Sequence, residues 1–269
     1  MIRTFPKPLP HSIVPHPKPE RLLERRPRAM TLIAGFRCRM GGVLLCADRE
    51  EDDGYNKREM DKIYRIPVQD LVSCDIWLAG AGHGDLIRKF QSKLHSSLII
   101  AVSRQGRDVY DDHETLIQAE LADFHRQWGS EIKKYGLDFI VVVAPYRPNR
   151  VPILCKTNKT ALVPSPEYCA IGAGKPISDY LADRLLHYDR LDRPTLALLA
   201  AFILREAQHS ASGVGLGADM KFIHDGGYCW RELFKDRVKE LQEEIPALED
   251  AIYAHWKDHV RIPEWLQNL

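Results

Sequence analysis

No stretch of this 269-residue chain reaches the roughly 18 uninterrupted apolar residues that a bilayer-crossing helix needs. The longest candidates are 137–145 and 195–204, so a membrane-spanning protein is not expected. Charge of one sign is equally lacking: 38 Lys+Arg against 37 Asp+Glu leave a net charge of +1, with no chain-wide footprint for nucleic acid or anionic lipid. None of the six cysteines pairs as C-x-x-C, which excludes a zinc knuckle and a redox motif. The 11 histidines are scattered without an H-E-x-x-H, so no metal site is expected. The glycine clusters at 80–84 and 172–174 lack both the G-x-x-x-x-G-K-[ST] and the G-x-G-x-x-G spacing, and no cofactor is expected. No apolar core of a secretory signal precedes the first globular segment, which implies the cytoplasm and reduced, buried thiols.

What is present is uneven. Residues 1–30 hold seven of the 17 prolines and seven Lys+Arg against two Asp+Glu, while the remainder holds 31 and 35. So many prolines forbid a continuous helix, and the apolar content is too low for a core. The reading is a disordered, basic, proline-rich arm over 1–30: a dispensable tail, a propeptide, or the product of a start placed too far upstream. A partner-binding use of Arg21, Arg25, Arg26 and Arg28 is the alternative.

From Thr31 onward the texture is that of a folded domain, 31–269, with a terminal helix. Two apolar runs flank Gly41 and Gly42 and predict a β-hairpin ending at Asp48; strands follow over 62–66 and 74–80. Helical spacing covers 84–103 and 112–134, the second capped by Asp111 or Asp112. Strands at 138–144, 152–156 and 168–171, helices at 175–187 and 195–208, a strand at 218–223 and a charged helix at 231–255 complete the order. Strands and helices thus come in groups rather than in strict alternation, which predicts an α+β fold: a four-layer αββα sandwich, two antiparallel sheets each covered by helices.

The chemistry-bearing positions fall in order along this frame: Thr31 heading the first strand, Asp48 ending the second, Lys62 opening the Lys-Ile-Tyr-Arg-Ile run, the pair Ala79-Gly80, and His209-Ser-Ala-Ser212-Gly213. In these residues the sequence resembles the proteasome β-subunit family of N-terminal-nucleophile hydrolases, as a bacterial-type, proteasome-related protein, from Thr31 to about Ile223. The resemblance implies the N-terminal-nucleophile version of the sandwich and a threonine peptidase. Thr31 would be the nucleophile, its own α-amine the base, and Lys62 paired with Asp48 would set the charge beside that amine. The Gly80 N–H would serve the oxyanion, and the turn holding His209 and Ser212 would lie behind the nucleophile. Two positions depart from the family pattern: His209 stands where an Asp is usual, and Ala173 where a Ser is usual.

The resemblance also implies a polypeptide substrate, a homo-oligomeric ring and a separate ATP-dependent unfoldase. Two other functions stay open: a non-catalytic ring subunit, which the two departures favour, and an amidase of the same fold. The chemistry requires a free amine on Thr31, and the preceding residue is Met30. Removal of an initiator methionine or self-cleavage at that bond would supply it.

Overall fold

The computed structural model describes residues 31–38, 41–52, 57–66, 74–105, 108–147, 150–186, 191–224, 230–233 and 235–259. The arm over 1–30 and Cys229 lie outside them. In chain order come β1 (Leu32–Arg37), β2 (Val43–Asp48), β3 (Glu50–Asp52), β4 (Lys57–Glu59), β5 (Ile63–Ile66) and β6 (Cys74–Gly82), then α1 (Gly84–Gln105) and α2 (Val109–Tyr135). The second half holds β7 (Leu137–Pro145), β8 (Ile153–Asn158), β9 (Ala161–Pro164), β10 (Tyr168–Gly172), α3 (Lys175–Leu185), α4 (Arg193–Ser210), β11 (Ala218–Ile223), β12 (Trp230–Leu233) and α5 (Lys235–His259). Among the described residues no helix is long and apolar enough to cross a membrane.

The chain is α+β, with two five-stranded antiparallel sheets ordered β10-β1-β2-β11-β12 and β5-β6-β7-β8-β9; β3 and β4 form a separate ribbon. Antiparallel strands usually alternate apolar and polar residues because one face meets water. Here β1 and β2 are buried on both faces, which is why their sequences read as unbroken apolar runs. Leu32, Ala34, Phe36 and Cys46 join Ala200 and Leu204 of α4 in one cluster. The alternate residues Ile33, Leu45 and Ala47 meet Trp77, Ile140 and Leu154 of the other sheet in a second. A third cluster sets Leu78 and Phe139 against Phe90 of α1 and Phe124 of α2, with the Phe90 and Phe139 rings stacked at 4.7 Å. Sheet meets sheet closely at Gly35, where a Cβ would lie 2.8 Å from Leu154 Cδ1.

Several local readings need correction. Residues Trp230–Leu233 are not the start of the last helix: they pair with Ile223 to Met220 as strand β12, and the helix begins at Lys235. The cap of α2 is Asp108, whose side chain accepts from the Tyr110 N–H, and not Asp111 or Asp112. The ribbon β3–β4 and the edge strand β9 were not foreseen, since their residues are too charged or too few to show an apolar period.

Burial also fixes the thiols. It pushes Cys46 and Cys169 up to about 12 and Cys155 up to about 11, from an ordinary 9.0. Because the thiolate is the reactive form, iodoacetamide at pH 8 should leave these three unmodified in the native protein while alkylating a urea-unfolded sample, as peptide mass mapping would show. The native state holds these protons to higher pH than the unfolded chain does. Stability should therefore fall as pH rises above 9.0.

Candidate active site

Thr31 precedes β1 and is 3% exposed. Its carbonyl accepts the Gly174 N–H at 3.2 Å, which fixes its main chain against the turn after β10. Gly172, opposite Leu32 in the ladder, is at φ +90°, and a Cβ there would lie 2.3 Å from the Thr31 carbonyl oxygen and 2.9 Å from its methyl group. Only glycine combines that dihedral with that approach.

Asp48 ends β2 with no exposed surface, and its carboxylate is fully engaged. Oδ1 accepts the Leu32 N–H at 2.8 Å and the Thr31 hydroxyl; Oδ2 accepts Lys62 Nζ at 2.8 Å and the Gly215 N–H at 3.0 Å. Lys62 stands one residue before β5 and donates to three acceptors: Thr31 Oγ1 at 2.6 Å, Asp48 Oδ2 at 2.8 Å and the Glu50 carbonyl at 2.7 Å. An ammonium has three donors and no acceptor, so Lys62 can stabilise negative charge on Oγ1 and cannot take its proton. The threonine hydroxyl is thereby oriented, its hydrogen toward Asp48 and its oxygen under a cation.

The surroundings pin this cluster. Arg49, next to Asp48, bonds Glu59 at 2.8 Å and Asp61 at 2.7 Å, tying β4 and the approach to Lys62 onto the end of β2. Burial alone would lower the Arg49 guanidinium, but Asp61 and Glu59 outweigh it and hold it above its ordinary value. From the other side, Lys221 Nζ of β11 donates to the Ile63 carbonyl at 3.3 Å and lies 3.7 Å from Asp219. A second buried Lys–Asp pair thus steadies the residue that follows Lys62.

The structure brings the Thr31, Asp48 and Lys62 side chains together and leaves the other expected site residues outside the hydrogen bonds of those side chains. Gly80 lies across the ladder from Lys62, and its N–H is given to the Lys62 carbonyl at 3.3 Å. His209, in the last turn of α4, and Ser212 are exposed. Their turn reaches Asp48 through the Gly215 N–H instead, while the Leu216 N–H donates to Glu50 Oε2 at 3.3 Å. Ala173 lies in the Gly172–Gly174 turn beside Thr31. Sequence reasoning missed Glu50 and Gly215, which act through the main chain. The one signal was the alternating run Gly213-Val-Gly-Leu-Gly217, which marks backbone approaching its neighbours closely. Among the described residues no group of three or more His, Cys, Asp or Glu is placed to hold a metal ion.

No family model matches the chain, and no curated protein does. Solved structures do. Anbu from Hyphomicrobium sp. strain MC1 superposes with a TM-score of 0.66 at 16% identity, over 87% of this chain and 100% of that one. This chain has the Anbu fold. Anbu from Yersinia bercovieri, an ancestral β-subunit, gives 0.67 at 12% identity, and the helical assembly of the Anbu complex from Pseudomonas aeruginosa gives 0.65 at 14%; each is covered over 99% of its own length and 87% of this chain. The resemblance to the proteasome β-subunit family is corrected by these matches: the similar structures are Anbu proteins. At such identity they show a shared proteasome-like fold and no more.

The buried pair sets a stability test. Thr31→Ala leaves Lys62 and Asp48 joined and should cost about 1–2 kcal/mol. Lys62→Met leaves Asp48 buried without its cation and should cost about 3–5 kcal/mol. Urea unfolding of the two variants, compared with the parent, checks the ranking.

Proposed function

We propose that the chain is a threonine-type peptidase of the N-terminal-nucleophile kind, built as a four-layer αββα sandwich, with Thr31 as nucleophile. The observation that carries this is the buried Thr31 hydroxyl held between Lys62 Nζ and Asp48 Oδ1. Nothing in the packing of a strand end calls for a serine-like hydroxyl wedged into an ion pair. A hydroxyl about to lose its proton does.

In this reading the bond between residues 30 and 31 is cut and the Thr31 amine is free. The amine, ordinarily near 7.7–8.0, is lowered by the Lys62 charge; the hydroxyl hydrogen turns from Asp48 to the amine, which takes it. Oγ1 then forms a bond to the carbonyl carbon of a peptide, and the carbonyl π electrons move onto oxygen. Collapse expels the leaving amine, which takes the proton back from the Thr31 ammonium, and leaves an ester on Oγ1. Water, deprotonated by the same amine, attacks that ester and releases the acid. Lys62 stabilises the developing charge on Oγ1 throughout, and Asp48 fixes Lys62 and the main chain at Leu32. To serve the oxyanion, the Gly80 N–H has to leave the Lys62 carbonyl when substrate binds. Five buried free cysteines among the described residues suit the reducing cytoplasm in which we place the protein.

The non-catalytic subunit is the second reading, favoured by the exposed His209 and Ser212 and by the engaged Gly80 N–H. A peptide epoxyketone, which needs both a hydroxyl and an amine to close its ring, separates the two. Chain beginning at Thr31 should gain one adduct by mass, on the peptide that starts with Thr31, and Thr31→Ala should gain none. The labelling rate should rise with pH up to the amine's value and then level, because only the neutral amine accepts the proton. No adduct on verified free Thr31 would leave the scaffold reading.

We also infer that copies assemble side by side. The Pseudomonas aeruginosa Anbu complex forms a helical assembly, and a head-to-tail interface yields a ring or a helix according to whether its rotation closes. Negative-stain electron microscopy should show rings or short filaments; a monomer of about 31 kDa at all working concentrations would overturn the inference.

A further inference from the structure

Between Val214 and Ala218, both buried, the chain passes the end of β2 as a short strap, Gly215–Gly217. The two glycines carry no side chain, and Leu216 is 73% exposed. Apolar burial, the usual anchor of a connecting segment, therefore does not hold the strap in place.

Each of its residues instead gives one main-chain group to a side chain. The Gly215 N–H goes to Asp48 Oδ2 at 3.0 Å and the Leu216 N–H to Glu50 Oε2 at 3.3 Å, while the Gly217 carbonyl accepts Gln208 Nε2 at 2.9 Å. Gln208 Oε1 in turn accepts Gln242 Nε2 of α5 at 3.4 Å, so both ends of the Gln208 amide are used. The approach is close: a Cβ on Gly215 would lie 1.9 Å from Glu50 Cβ, and one on Gly217 would lie 3.3 Å from Arg49 Cβ.

Glu50 faces both ways. Its carbonyl accepts Lys62 Nζ, and its carboxylate closes the strap whose first N–H sits on Asp48. Asp48 Oδ2 is shared between that N–H and Lys62. If the strap lifts, a carboxylate with no exposed surface is left short of a donor, and its uncompensated charge draws the Lys62 ammonium away from Thr31 Oγ1.

We propose that Glu50 and Gln208 are positioning residues for the Thr31, Asp48 and Lys62 cluster, acting through the strap that they hold against the end of β2. That the positioned cluster is catalytic rests on the reading of Thr31 as nucleophile; the strap itself does not. Through Gln242 the terminal helix α5 is tied into the same chain of hydrogen bonds.

The test uses chain beginning at Thr31 and the peptide epoxyketone, with labelling followed by mass over a range of reagent concentrations to separate the maximal rate from the half-saturating concentration. Glu50→Ala and Gly215→Ala should lower the maximal rate about tenfold and leave the half-saturating concentration within about twofold, because orientation of the hydroxyl is lost and a binding contact is not. Glu50→Gln keeps an acceptor for the Leu216 N–H and should stay within about twofold of the parent; Gln208→Ala removes a neutral bond and should cost about threefold. A variant that only unfolds more easily labels to a smaller extent at the parent's rate. Hydrogen–deuterium exchange of the peptide covering 213–219 reports the strap without any chemistry at Thr31: the Gly215 and Leu216 amides should exchange about tenfold faster in Glu50→Ala than in the parent or in Glu50→Gln. Labelling of Glu50→Ala at the parent's rate, or of Glu50→Gln as slowly as Glu50→Ala, overturns the positioning role, and unchanged exchange in Glu50→Ala overturns the strap. A parent that takes no adduct, with exchange that still depends on Glu50, defeats the peptidase reading alone.

Discussion

Two opposite charges buried at the junction of two sheets tolerate little displacement, because each loses water and must recover every hydrogen bond from protein. Asp48 ends a strand of one sheet and Lys62 precedes a strand of the other, so their 2.8 Å contact fixes how the sheets register at this end of the molecule. The apolar layer between the sheets sets only their spacing, about one side chain at Gly35 and Leu154. Apolar packing is non-directional; the ion pair supplies the direction. Apart from the Thr31 hydroxyl, the groups bonded to it are main-chain ones: the Leu32 N–H, the Gly215 N–H and the Glu50 carbonyl.

That division explains what could be read without coordinates. Thr31, Asp48 and Lys62 were legible because side-chain chemistry must be written in residue type, and each stands at the end of an apolar run that announces a strand. The elements β1, β2, β6, β7 and the four helices between Gly84 and Ser210 were legible for the same reason, their cores being continuous or periodic in apolar residues. Glu50 and Gly215 were not legible as site residues, since a carbonyl or an N–H is carried by any residue. The ribbon β3–β4 was hidden by its composition: Glu50 stands opposite Glu59, and such a pairing holds only because Arg49 and the Leu216 N–H take up the two carboxylates.

The expectations for His209 and Ser212 illustrate the opposite risk. A motif read along the chain assumes that the turn presents the same atoms as in the family it resembles. Here the glycines after Ser212 carry the chain onward, so contact with Asp48 is made three residues later, by backbone. Gly80 was expected to turn its N–H to an oxyanion, and that N–H closes the ladder on the Lys62 carbonyl. The side chains of the site and its backbone donors are thus separate problems, and only the first is written in the sequence.

The state of the Thr31 amine is a local matter for the same structural reason. Thr31 is held by three bonds: its hydroxyl to Asp48, the Lys62 ammonium to its hydroxyl oxygen, and the Gly174 N–H to its carbonyl. The Leu32 N–H, on Asp48, anchors the next residue. None of these involves the Thr31 nitrogen or the residue before it. Breaking the preceding peptide bond therefore frees an amine beside an already oriented hydroxyl without disturbing what orients it. Lys62, with all three donors committed, has no means of acting as base whether that nitrogen is an amide or an amine.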